Sequence, residues 1–114
     1  LTSEQFFVSY LNEELPENVS ANVPSPLPER FVTVEKTGSQ TANRITTDTL
    51  AVQSWAASRE EAMLLNEAVK ALMLAAAQLP EISRVECETD YNYPDLSTKH
   101  PRYQALYAVT HYLN

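Results

Sequence analysis

Apolar positions along the chain repeat with two different periods, and the switch between them marks out the elements. In "SEQFFVSYLNEEL", Phe6, Phe7, Tyr10 and Leu11 recur at helical spacing. They predict an amphipathic helix from about Ser3 to Leu15, with Ser3 as N-cap, Glu4 in the first turn and Pro16 as the stop. Val19, Ala21 and Val23 then alternate as a short edge strand would. Pro24, Pro26 and Pro28 follow, which forbids a helix and lays the chain out as an extended connector. "RFVTVEKT" (Arg30 to Thr37) is rich in β-branched residues and reads as a strand. The polar stretch Gly38–Thr47 suits a long hairpin loop, and Asp48–Ala56 is the return strand. On that strand Leu50, Val52 and Ser54 face one way, while Ala51, Gln53 and Trp55 face the other.

The period then changes to that of a long helix. Ser58 is its cap, and Glu61 is spaced to complete a capping box. Ala62, Leu65, Val69, Leu72, Ala76 and Leu79 form a stripe down to about Gln78, before Pro80, over roughly 30 Å. Met63, Leu64, Ala68, Met73 and Ala75 widen the apolar surface beyond one face, which implies a second contact with the first helix or another subunit. "ISRVECETDY" sets Val85, Cys87 and Thr89 against Arg84, Glu86, Glu88 and Asp90, an inward face against a charged one. In "RYQALYAVTHYL" neither face is strongly polar, as in a strand covered on both sides. The expected fold is α/β of the α+β type. It has two layers: a mainly antiparallel sheet of four to five strands, one long helix packed on it, and an N-terminal helix.

Composition narrows the chemistry. The 114 residues fit one domain spanning the whole chain, long enough for a real core. A net charge of −7 disfavours binding to duplex DNA, whose affinity comes from neutralised phosphates. One cysteine, Cys87, leaves no internal disulfide, and one glycine, Gly38, leaves no phosphate-cradling loop. No apolar run is long enough to span a membrane, and the first residues lack the basic start of a signal peptide.

Candidate catalytic groups are sparse. His100 and His111 lie eleven positions apart, without metal-ligand spacing; His100 reads as an exposed loop residue and His111 as a half-buried strand residue. Cys87 occupies an inward strand position and reads as a small hydrophobe rather than a nucleophile. Glu60 and Glu61 suit the helix dipole, and Arg84 is a local partner for Glu86 and Glu88. The tyrosines of "DYNYP…RYQALY" could stack on bases or sugars, but the acidic balance favours a protein interface. Asp90–Arg102 reads as an ordered arm stiffened by its prolines, and Arg30 and Arg102, each at a strand start, could pair with carboxylates within or between subunits.

"VPSPLPERFVTVEKTGSQTANRITTDTLAVQSWAASREEAMLLNEAVKALM" and the closing "YPDLSTKHPRYQALYAVTHY" together resemble the tail terminator (tail completion, or head–tail joining) proteins of long-tailed bacteriophages and prophages. The resemblance covers most of the chain and contains no catalytic signature. It implies a homo-oligomeric ring, typically a hexamer, at the head-proximal end of the tail. Such a ring would be assembled in the host bacterial cytoplasm and carried in the virion. The ring would bind the tail tube protein, end tube polymerisation and present a surface to the head-completion protein, with DNA passing through its lumen without specific binding. No cofactor, metal, membrane or enzyme activity belongs to that role. Candidate interface residues are Arg30, Lys36, Gln40, Asn43, Arg44, Tyr91, Tyr93, Asp95, Lys99 and Arg102. Two alternatives stay open: a neck or stopper protein on the head side, and a small ligand-binding domain or enzyme using Tyr91, Tyr93, His100 and Cys87.

Overall fold

A computed structural model of the chain describes residues 1–113. Five strands form one sheet in the order β1-β2-β3-β5-β4: β1 (Asn18–Ser20), β2 (Phe31–Ala42), β3 (Ile45–Trp55), β4 (Ile82–Asn92) and β5 (Arg102–His111). β1 runs parallel to β2, and every other neighbouring pair is antiparallel. Two helices, α1 (Ser3–Glu14) and α2 (Arg59–Ala75), the latter extended by a 3-10 turn at Ala76–Gln78, make the second layer. The expected two-layer α+β arrangement is the one found.

The core lies between helices and sheet. Phe7 and Leu11 of α1, and Leu65, Val69 and Met73 of α2, close over Val32, Val34, Leu50, Val52, Ala105, Tyr107 and Val109. Full burial of each large side chain contributes about 1.5–3 kcal/mol, and together they fix both helices on one face. Met73 is fully buried, whereas Leu72 is only partly so. The buried stripe is therefore rotated slightly from the expected one, towards Ala62, Leu65, Val69, Met73 and Ala76. α1 takes up the Leu72 side, where the Tyr10 hydroxyl donates to the Leu72 carbonyl at 2.7 Å.

Caps explain where the helices begin. Thr2, not Ser3, caps α1: its hydroxyl accepts from the Gln5 amide, and the Gln5 side chain accepts from the Thr2 amide. Ser3 is released for another task. On α2 the Ser58 hydroxyl accepts from the Glu61 amide as expected, but it also donates to the Glu61 carboxylate.

Strand lengths depart most from the sequence reading. Gly38–Thr47 is not a loop. β2 and β3 stay paired to Ala42 and Ile45, and the chain reverses through Asn43 and Arg44 alone, with φ of 53° and 65°. Two successive left-handed residues make the twist-matched hairpin turn. Pairing survives the polar composition because threonine-rich polar faces suit a strand as well as a loop. Three register shifts interrupt the ladders, at Thr37, Ser83 and Glu88.

The last of these shifts inverts the end of β4. Alternation alone would set Asp90 on the charged outer face with Glu86. The extra residue at Glu88 instead pairs Asp90 with Ala105 on the helix side and Tyr91 with Gln104 on the outer side. Beneath α2, Asp90 accepts from Lys70 and from Asn66 at 3.0 Å.

Candidate assembly surface

Only one sheet face carries helices. The opposite face is built from Phe31, Thr33, Glu35 and Gln40 of β2, the odd-numbered positions 47–55 of β3, the even-numbered positions 102–110 of β5, and Arg84, Glu86, Thr89 and Tyr91 of β4. Leu106, Ala108, Thr110, Thr47 and Thr49 there are half-buried. Among the described residues no second layer lies over these positions, so the chain itself covers β5 on one side only, a correction of the two-sided cover expected.

At one end of this face an aromatic cluster forms. Phe31 and Trp55 stack with centroids 4.9 Å apart, and His100 packs on both, at 6.3 and 5.8 Å. His100 is thus a half-buried packing residue rather than an exposed one. The Arg102 guanidinium lies 4.8 Å from the Trp55 ring centre and 4.5 Å from that of Tyr93, and Tyr93 meets Tyr91 edge-on at 5.7 Å. Arg102 also donates to the Tyr93 carbonyl at 2.6 Å. Within the chain its partners are aromatic faces and a carbonyl, and among the described residues no carboxylate lies within ion-pair reach of it.

A polar ladder runs beside the cluster across four strands. Trp55 Nε1 donates to Thr33, Thr33 to Gln53, Gln53 to Gln104 at 2.7 Å, and Gln104 to the Tyr91 hydroxyl. Each amide serves as donor and acceptor in turn, so the ladder has a direction and holds its side chains in register. Around the cluster this surface presents planar amides, aromatic edges and the Arg102 guanidinium, groups suited to protein contact, and farther along β4 the same face carries the Arg84–Glu86 ion pair.

The arm between β4 and β5 is ordered, as expected. The Asp95 carboxylate accepts from the Ser97 amide and from the Ser97 and Thr98 hydroxyls, and Asp95 bridges to His100. The Thr98 and Ser97 hydroxyls hold the Asp95 carboxyl below the usual carboxylate range. Lys99 takes a left-handed conformation, φ 59°, at the tip.

The ten expected interface residues do not form one site. Tyr91, Tyr93 and Arg102 meet in the cluster, with Asp95 and Lys99 on the adjoining turn. Gln40, Asn43 and Arg44 lie on the β2–β3 hairpin at the other end of the sheet, because Thr46 pairs with His111 whereas Trp55 pairs with Arg102. Lys36 is on the β2 edge, where its amide donates to Glu4 at 2.8 Å. Arg30 pairs within its own chain, with Glu17 at 3.4 Å and Glu61 at 3.9 Å.

Sequence reasoning missed a buried polar centre. Asp48, 2 % exposed, accepts hydrogen bonds from Ser3, Ser39 and His111 Nε2, the last at 2.7 Å. His111 is buried, not half-buried. Its Nδ1 accepts from the Leu113 amide at 3.1 Å, so the ring proton sits on Nε2 and points at Asp48. Burial pushes the Asp48 carboxyl up, but the hydrogen bonds from Ser3, Ser39 and His111 outweigh it, and the net shift is downward. These residue types also make nucleophilic triads, but here the carboxylate is the hub and Ser3 bonds to Asp48 rather than to histidine. Ser3 therefore faces a carboxylate of lowered pKa, a weaker base than an imidazole, and the centre ties α1 to three strands.

Cys87 is likewise unprimed, since burial, and then the Asp90 charge, push its thiol pKa up. Among the described residues no group of three or more His, Cys, Asp or Glu side chains is placed to hold a metal ion, and no helix is long and apolar enough to cross a membrane. No protein-family model matches the chain, and no curated protein matches it.

Proposed function

We propose that the chain is the subunit of a ring that closes the head-proximal end of a phage tail tube, ends tube growth and offers the surface on which the head docks. The observation that carries this reading is the one-sided fold. One sheet face is sealed by α1 and α2, while the other stays uncovered, organised by the Tyr91–Gln104–Gln53–Thr33 ladder and the Arg102 aromatic cluster. Ordered hairpins project at both ends of that face. A subunit that must touch like copies on its flanks and a tube below needs several prepared surfaces rather than one deep cleft. The net charge of −7 supports a role around DNA in transit, because like charges keep the duplex off the wall.

The test is to add the chain to polymerising tail tube protein and measure tube length by electron microscopy. Tubes should stop growing and carry a ring at one end. Continued lengthening would overturn the tube-terminating role, and binding to head connectors alone would move the chain to the neck.

A further inference from the structure

We infer that copies of this chain associate head to tail, the β2–β3 hairpin tip of one copy seating in the groove between α1 and the end of α2 of the next. The inference rests on the proposed function for the existence of a ring and names the contact that would build it.

The tip reaches beyond the sheet, since β5 ends opposite Thr46 and only Ala42–Ile45 continue. It pairs a cation with an apolar side chain: Arg44, exposed, and Ile45, 52 % exposed. Among the described residues Arg44 has no ion-pair partner. Arg44 also occupies a left-handed position, φ 65°, where glycine would sit with less strain. A long cationic side chain held at such a site points to use outside the chain.

The groove has the complementary character. It measures about 280 Å³ and is lined by Leu1, Phe6, Tyr10 and Leu79 together with the carboxylate-bearing Glu13 and Glu81. Glu13 and Glu81 are both exposed and, among the described residues, neither has an ion-pair partner. A seated tip would lay Ile45 against Phe6 and Leu79 and bring Arg44 to the two carboxylates. A tip seated one way only, with no return contact from the same neighbour, makes a heterologous interface that repeats from copy to copy and closes into a ring where the rotation allows; a species that stops at dimer in sedimentation would overturn that direction.

The test is sedimentation velocity of the full chain across a concentration series, with the tube-capping assay run in parallel. Arg44→Glu and Glu81→Lys should each weaken self-association by at least about tenfold, and the double variant should recover it. Arg59→Glu makes the same change in net charge away from the contact and should leave association unchanged. Circular dichroism melts should show every variant folded, since all three positions are exposed. Unchanged association in Arg44→Glu, a double variant no better than the singles, or an equal loss in Arg59→Glu would overturn the contact while leaving tube capping to stand on its own assay. Wild-type chain that stays monomeric both at millimolar concentration and on tubes would also overturn it. Charge-swap recovery with tubes that keep growing would uphold the contact and sink the tube-terminating role.

Discussion

Replacing Asp48 by asparagine tests the buried centre most directly. The carboxylate accepts three hydrogen bonds, from Ser3, Ser39 and His111. A hydrogen bond to a charged group contributes about 1.5–3 kcal/mol. Asparagine preserves volume and one acceptor oxygen but turns the other into an amide donor. The serines can rotate to accept. His111 cannot, because its Nδ1 is committed to the Leu113 amide and its Nε2 must donate. Ser3 and His111 share one carboxylate oxygen and Ser39 takes the other, so the amide can turn to Ser39, and the cost is the lost charge assistance of three hydrogen bonds, together about 3 kcal/mol. That is a large share of the 5–15 kcal/mol typical of a domain.

The cost should depend on pH. The folded Asp48 pKa lies below its ordinary value, so the unfolded chain takes up the proton first as pH falls. The stabilisation is complete above about pH 5 and drains away as pH drops through about 4 towards the folded pKa. Urea unfolding followed by Trp55 fluorescence at pH 7 and pH 3 measures both effects. With a slope of about 1–3 kcal/mol per molar, 3 kcal/mol moves the midpoint by at least about 1 M. The gap between wild type and Asp48→Asn should shrink at pH 3. A gap under about 0.5 kcal/mol at pH 7, or one that pH does not change, would refute the assignment of the centre as a charged hub.

Three further outcomes are expected. Met73→Ala should cost about 2–5 kcal/mol and Leu72→Ala clearly less, because only Met73 is fully buried; chemical denaturation of the pair would expose a wrong helix face if the order reversed. Lys70→Ala should cost about 1 kcal/mol or less, the Lys70–Asp90 pair being partly exposed. Hydrogen bonds donated by Lys70 to Asp90 and Glu67 raise its pKa, so that contribution should persist below about pH 10 and vanish above the raised value, as an alkaline denaturation series would register. Arg44→Gly should stabilise the isolated chain by about 1 kcal/mol, by relieving a left-handed conformation, yet weaken self-association; a drop in melting temperature would contradict the turn geometry.

Local pattern was enough to determine both helices, the principal strands and the layer arrangement. Helix stripes and strand alternation arise from side chains one to four positions apart, and those distances are written in the chain itself. Ser58 and Pro80 bracket α2 for the same reason. The arm between β4 and β5 was legible too, through the prolines around Asp95 and the tyrosines at Tyr91 and Tyr93, whereas the paired β2–β3 hairpin read as a loop. What the tertiary structure decided is which residues meet across strands. Ser3, Ser39, Asp48 and His111 converge although His111 stands 63 positions from Asp48, and no periodicity links them. The single extra residue at Glu88 turned Asp90 inward to Lys70 and Tyr91 outward to Gln104, a phase change that alternation cannot report. Register is a long-range choice between whole strands, made by the sum of core burial and cross-strand hydrogen bonds, so it exists only once the sheet has closed.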